Sequence, residues 1–134
     1  MTADELYEQA ASRIRRLSPD ETVEAVRRGA LLVDLRPTDY RWREGEVSGA
    51  IPVPRHVLEW RLDPHGDFRL SELSGPGDEV VLMCSEGYAS ALSADLLQQE
   101  LGLTNVADLR GGFAAWKAAG LPWISHAPRE LPSQ

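Results

Sequence analysis

The chain has 134 residues, 43% of them hydrophobic and 26% charged, with a net charge of −7 and a pI near 4.9. These values suit one soluble globular domain around a single core rather than a disordered or membrane chain. The excess of acid, with Lys and Arg scattered along the sequence, argues against nucleic acid as a partner, and no apolar run nears the roughly 20 residues that cross a bilayer, so no membrane contact is expected.

The first residues, M-T-A-D-E-L-Y-E-Q, are acidic where a secretory signal would be basic and then apolar. Residues 4–17 put Leu6, Tyr7, Ala10, Ala11, Ile14 and Leu17 on one helical face. Asp4, Glu5 and Glu8 come early and Arg13, Arg15 and Arg16 late, the order that a helix dipole favours. Residues 1–17 are therefore read as a helical extension that packs on the domain and takes no part in its chemistry. The main domain is placed at 18–125. It opens on S-P-D-E, where Ser18 caps, Pro19 takes the first helical position and Glu21 reaches back, starting a second helix that runs to Gly29.

The stretches L-L-V-D (31–34) and E-V-V-L-M (79–83) are short, apolar and bounded by turn residues, as buried parallel strands are. Weaker strands are read at 50–53 and 105–108. Helices are predicted at 55–62, 88–101 and 112–119, the last two stopped by Gly102 and Gly120. This alternation implies an α/β fold. Residues 126–134 are read as a loosely held tail.

The single cysteine, Cys84, falls on the loop between the strand at 79–83 and the helix at 88–101. That is the carboxyl end of a parallel sheet, where ligands bind in open α/β folds. The loop C-S-E-G-Y-A-S turns several N–H groups toward a common centre, with Gly87 permitting a backbone geometry that a bulkier residue resists. Such a nest at a helix start favours an anion, and the Cys84 thiolate is the nearest one. The plain alternative is a small core residue, but the position at a strand end favours a nucleophile. One cysteine forms no internal disulfide, and a lone thiol persists most easily in a reducing compartment, so a cytoplasmic location is the default. His56, His65 and His126 lie in unrelated stretches and show no metal-ligand spacing; neither metal nor cofactor is predicted.

Four stretches, V-D-L-R (33–36), G-E-V-S-G-A-I-P-V-P (45–54), C-S-E-G-Y-A-S (84–90) and G-G-F-A-A-W-K-A-A-G-L-P (111–122), occur in an order and spacing that resemble the single-domain rhodaneses over about residues 18–123. The resemblance implies a central parallel sheet of about five strands flanked by helices; a monomer or weak dimer is expected. It also implies a sulfurtransferase. Cys84 would take a sulfane sulfur from a small-molecule or protein donor, hold it as a persulfide among the loop N–H groups, and pass it to a thiol or cyanide-like acceptor. Substrate binding would fall to Ser85, Glu86, Gly87, Tyr88, Ala89 and Ser90 together with Arg36, with structural support from Asp34. Ser90 reads as a donor to the sulfur and equally as a helix cap. The Asp34–Arg36 pair reads as a brace or as a substrate contact, and Trp60 and Tyr88 as pocket wall or ordinary rim.

The sequence also departs from the family pattern. The loop positions that carry arginine in thiosulfate-using relatives are Ser85 and Ala89, and Glu86 adds negative charge between them. Two like charges about 4 Å apart repel by roughly 1 kcal/mol in water and about 4 kcal/mol at an intermediate dielectric, so weak thiosulfate activity is expected. Arg41, Arg43, Arg55 and Arg61 are the cations available to fold toward the site. Glu46 stands where the family has a histidine and is read as a structural variation. Two rival readings remain: a catalytically weak rhodanese-like binding module, and a Cys-x5-Arg phosphatase or arsenate reductase. The latter lacks its oxyanion-gripping arginine, because that position is Ser90.

Overall fold

The computed structural model describes residues 1–126. The first helix, α1 (Ala3–Arg13), opens on Thr2, which accepts the Glu5 N–H while the Glu5 carboxylate accepts the Thr2 N–H. Ile14 is extended, and the chain enters strand β1 (Arg15–Leu17), so the helix expected over 4–17 stops four residues early. The reason is tertiary. β1 lies parallel to β5 (Val106–Leu109), with Arg16 opposite Asp108 and Leu17 opposite Leu109, and the ladder satisfies the backbone groups that another helical turn would have used.

Helix α2 (Pro19–Arg27) carries the expected reciprocal Ser18–Glu21 cap. With β2 (Leu31–Asp34), β3 (Ile51–Pro52) and β4 (Val80–Met83), the strands form one parallel five-stranded sheet in the order β1-β5-β4-β2-β3. The α/β fold is as expected. β1 supplies the strand that sequence periodicity missed, because three residues reading R-R-L carry no period.

All four residues of central β4 are fully buried. Val80 and Leu82 face a core completed by Leu97 of helix α5 (Ala89–Glu100) and by Leu58 of helix α4 (Leu58–Arg61). Val81 and Met83 face the opposite core with Ala25 of α2 and with Phe113 and Trp116 of helix α6 (Gly112–Ala118). A strand covered on both faces needs an unbroken apolar run, and each buried Val or Leu contributes roughly 1.5–3 kcal/mol. Outside α5, α1 buries Ala10 and is tied by the Arg13–Asp95 ion pair at 3.0 Å.

Helix α3 (Thr38–Glu44) was not anticipated; it has no buried residue and hence no apolar stripe to announce it. In place of one helix over 55–62, a 3₁₀ turn at Arg55–Val57 runs into α4. After α6, Ile124 pairs with Glu46 in an antiparallel bridge. Of the tail read at 126–134, all but His126 lies outside the described residues. No helix among the described residues is long and apolar enough to cross a membrane.

Candidate active site

Cys84 directly follows β4 and is 8% exposed. Its Sγ accepts the N–H groups of Gly87 at 3.2 Å and Ser90 at 3.4 Å, and its thiol points at Ser90 Oγ, also at 3.4 Å. Gly87 has φ +88°, and a Cβ there would lie 2.7 Å from Gly111 N. The other side of the loop rests on the first turn of α6: Phe113 N–H donates to the Cys84 carbonyl at 2.9 Å and Ala114 N–H to the Ser85 carbonyl at 3.0 Å. This approach is what the paired glycines permit. Gly112 has φ +62°, and a Cβ on it would sit 2.4 Å from the Cys84 carbonyl oxygen and 2.8 Å from Glu86 N.

Behind the sulfur, Ser90 Oγ donates to Asp108 Oδ2 at 2.8 Å. Asp108 is 0% exposed and is gripped by Arg16, Nε to Oδ1 at 2.9 Å and a terminal nitrogen to Oδ2 at 3.0 Å. The same guanidinium donates to the Gly87 carbonyl at 2.6 Å and to the Tyr7 hydroxyl at 2.5 Å. The Asp108 bond, working against burial, holds the Arg16 proton more tightly than in an ordinary guanidinium. The Tyr7 ring meets Tyr88 of the loop edge-on at 4.9 Å.

Two expectations change here. The Ser90 side chain does not cap α5, whose first turn has no side-chain cap, and its hydroxyl hydrogen is committed to Asp108, so the donor that Ser90 offers the sulfur is its backbone N–H, while the hydroxyl meets the thiol as an acceptor. The segment 1–17, expected to stand apart from the loop, reaches it through Tyr7 and Arg16. One signal for this network was available: Asp108 interrupts the apolar run V-A-D-L, and a carboxylate in a buried strand needs a partner. The partner, 92 residues away, was not legible.

In front of the sulfur lies a cavity of about 320 Å³. Of the residues proposed from sequence, Cys84, Ser85, Glu86, Tyr88, Ala89 and Arg36 line it, whereas Gly87 and Ser90 sit on the far side of the sulfur. Leu35, Pro37 and Tyr40 supply much of the remaining wall; Trp60, largely exposed, does not contribute. Arg36 is 2% exposed and occupied: Asp34 accepts two of its bonds at 3.0 and 2.7 Å, Glu44 a third at 3.1 Å, and its guanidinium stacks on Phe113 at 4.3 Å. Burial opposes its charge, but the Asp34 and Glu44 bonds outweigh that and keep its proton bound more tightly than usual. Glu44 also accepts the Ser85 hydroxyl at 2.8 Å.

Among the four arginines considered as outside cations, Arg55 lines the cavity, paired with Glu59 at 2.8 Å. Arg41 binds Glu46, Arg43 stacks on Tyr40, and Arg61 donates to the Phe68 carbonyl. Glu46, besides Arg41, pairs with His126. No group of three or more His, Cys, Asp or Glu among the described residues is arranged to hold a metal. The arrangement is a thiol under convergent N–H donors, suited to carry negative charge or a second sulfur at the floor of a mainly apolar, nearly charge-balanced pocket.

A family model described as "Rhodanese-like domain" matches residues 18–119. A protein of Allochromatium vinosum named sulfurtransferase is 34% identical over 71% of this chain and 78% of its own length. A protein of Arabidopsis thaliana named thiosulfate sulfurtransferase 16, chloroplastic, is 33% identical over 70% of this chain and 79% of its own. Among solved structures, a Rhodopseudomonas palustris protein of unknown function, titled a possible tyrosine phosphatase, superposes with a TM-score of 0.81 at 28% identity, covering 92% of this chain and 94% of that one.

Proposed function

The chain belongs to the rhodanese-like domain family, and from that premise we propose that it is a sulfurtransferase carrying sulfane sulfur as a persulfide on Cys84. The observation that carries this reading is the single thiol of the chain, lying under the Gly87 and Ser90 N–H groups at the floor of the cavity. The names of the Allochromatium and Arabidopsis relatives support the reaction class. In the first step the Cys84 thiolate attacks the outer sulfur of a donor R–S–SH. The new S–S bond forms on Cys84, the old one breaks, and R–S⁻ leaves with the electron pair. In the second step an acceptor thiolate attacks that outer sulfur and Cys84 leaves as thiolate. Sulfur moves at no net redox cost, and a nucleophile that is also a good leaving group divides one transfer into two displacements.

The donor we favour is uncharged or weakly charged, a small organic persulfide or a protein persulfide, rather than thiosulfate. Arg36 is neutralised by Asp34 and Glu44, Glu86 stands at the rim, and Arg55 is the remaining cation on the wall, already paired with Glu59. The phosphatase activity suggested for the Rhodopseudomonas protein does not carry over, because the position of the oxyanion-gripping arginine is Ser90, buried and bonded to Asp108.

The test is the intact mass of the protein after incubation with glutathione persulfide, mercaptopyruvate or thiosulfate. Gain of one sulfur atom, removed by cyanide and absent in Cys84→Ser, is the expected result. No gain with any donor overturns the sulfurtransferase reading and leaves that of a binding module.

A further inference from the structure

We propose that the Arg16–Asp108 ion pair is a positioning device for Cys84, supplied in part by a segment that precedes the family match at 18–119. The two N–H groups that face the sulfur belong to Gly87 and Ser90. These are the two loop residues that the pair holds: Arg16 through the Gly87 carbonyl at 2.6 Å, Asp108 through the Ser90 hydroxyl at 2.8 Å. Gly87, having no Cβ, has the greatest backbone freedom in the loop, so the aim of its N–H depends on a restraint from outside. Arg16 provides one, with a planar fork that binds Asp108 at two points and fixes its own orientation by doing so. The Tyr7 hydroxyl accepts a further N–H of the fork, which links α1 to the same restraint.

Stability by itself is a weak reason for the pair. Asp108 is fully buried and the Arg16 side chain nearly so, and buried ion pairs are commonly no more stabilising than apolar side chains of the same size. What such a pair offers over packing is direction. Removing one partner alone would leave an uncompensated buried charge, so the informative change removes both.

The catalytic readout below rests on the sulfurtransferase reading; the alkylation readout does not. Two variants of the full chain are compared with wild type: Arg16→Met/Asp108→Leu, which leaves no unpaired charge, and Arg16→Lys, which keeps the charge but lacks the planar fork that reaches Asp108, Gly87 and Tyr7 from three nitrogens. The measurements are the rate of Cys84 alkylation by iodoacetamide at pH 7, kcat and KM for sulfur transfer, and Tm. The double variant should melt within about 5 °C of wild type. In both variants alkylation and kcat should fall by about tenfold or more, with KM within about twofold. Leu97→Val, a core change away from the pair, serves as the destabilised control and should keep both rates. Wild-type alkylation and kcat in either folded variant, or an equal loss in the control, overturns the inference. So does a double variant that fails to fold, since the pair would then be structural. A wild-type protein that alkylates but transfers no sulfur removes the sulfurtransferase reading and leaves positioning to be judged on alkylation alone.

Discussion

Gly112→Ala places a methyl group where the backbone of the cysteine loop already is. The new Cβ would stand 2.4 Å from the Cys84 carbonyl oxygen, at φ +62°. Bringing that contact to the ordinary 3.4 Å pushes the loop back by about 1 Å, which takes the 2.9 Å Phe113–Cys84 hydrogen bond beyond the range of such a bond. A left-handed backbone costs alanine about 1–2 kcal/mol. Weakening the bonds from Phe113 and Ala114 to the loop carbonyls costs about 1 kcal/mol each. The total is about 3 kcal/mol or more, which for a domain of this size lowers Tm by roughly 10 °C. Urea or thermal unfolding followed by tryptophan fluorescence, with the buried Trp116 as a reporter, measures the first effect. The second is local: sulfur loading of Cys84, followed by intact mass, should slow by about tenfold because the N–H donors have moved with the loop. A variant that melts within a couple of degrees of wild type and loads sulfur at the wild-type rate would refute the idea that Gly112 is selected by the approach of α6 to the loop.

Cys84→Ser should keep its fold by circular dichroism, take up no sulfane sulfur and lose cyanide-dependent turnover; full turnover in that variant ends the covalent route. Ala89→Arg combined with Glu86→Gln should raise kcat/KM for thiosulfate by about tenfold, the ratio that roughly 1.4 kcal/mol at the transition state supplies. Ser85→Arg should add little, because Glu44, 2.8 Å from Ser85 Oγ, is placed to take the new cation. Strong wild-type thiosulfate activity that falls with salt would instead mean that Arg55 already serves the donor. Glu79 accepts bonds from Arg28 and Arg15 that, the Arg28 bond foremost, hold its carboxyl below its ordinary value of 4.5. Since the folded state then binds this proton less readily than the unfolded state, the stabilisation is present above about pH 4.5 and fades as pH falls below it. The gap in unfolding free energy between wild type and Glu79→Gln should therefore narrow in urea melts between pH 7 and about pH 3; a gap independent of pH would contradict it.

Much of the scaffold was legible without coordinates because its signals are carried by neighbouring residues. The runs L-L-V-D and V-V-L-M read as buried strands since both of their faces are covered, and S-P-D-E marked the start of α2 since a cap is satisfied within four residues. The cysteine loop was placed at a strand end for the same reason: the change of period from strand to helix occurs across it. α3 left no trace, having no buried face, and β1 was absorbed into the helix before it, because three residues paired with a distant strand have no pattern of their own.

What sequence determined, then, was the fold class, the place of the one cysteine at a strand end and the acidic cast of its loop, all consequences of local order and residue type. Tertiary structure alone decided which charges meet. The strand order β1-β5-β4-β2-β3 sets Arg16 beside Asp108 and, through Ser90 and Gly87, behind Cys84. The packing of α3 lays Glu44 against Arg36 and Ser85, so that Arg36 meets the cavity already paired with two carboxylates. A buried charge must find a counterpart, but the chain does not specify locally which one, since that depends on which segments the sheet brings within about 3 Å of each other.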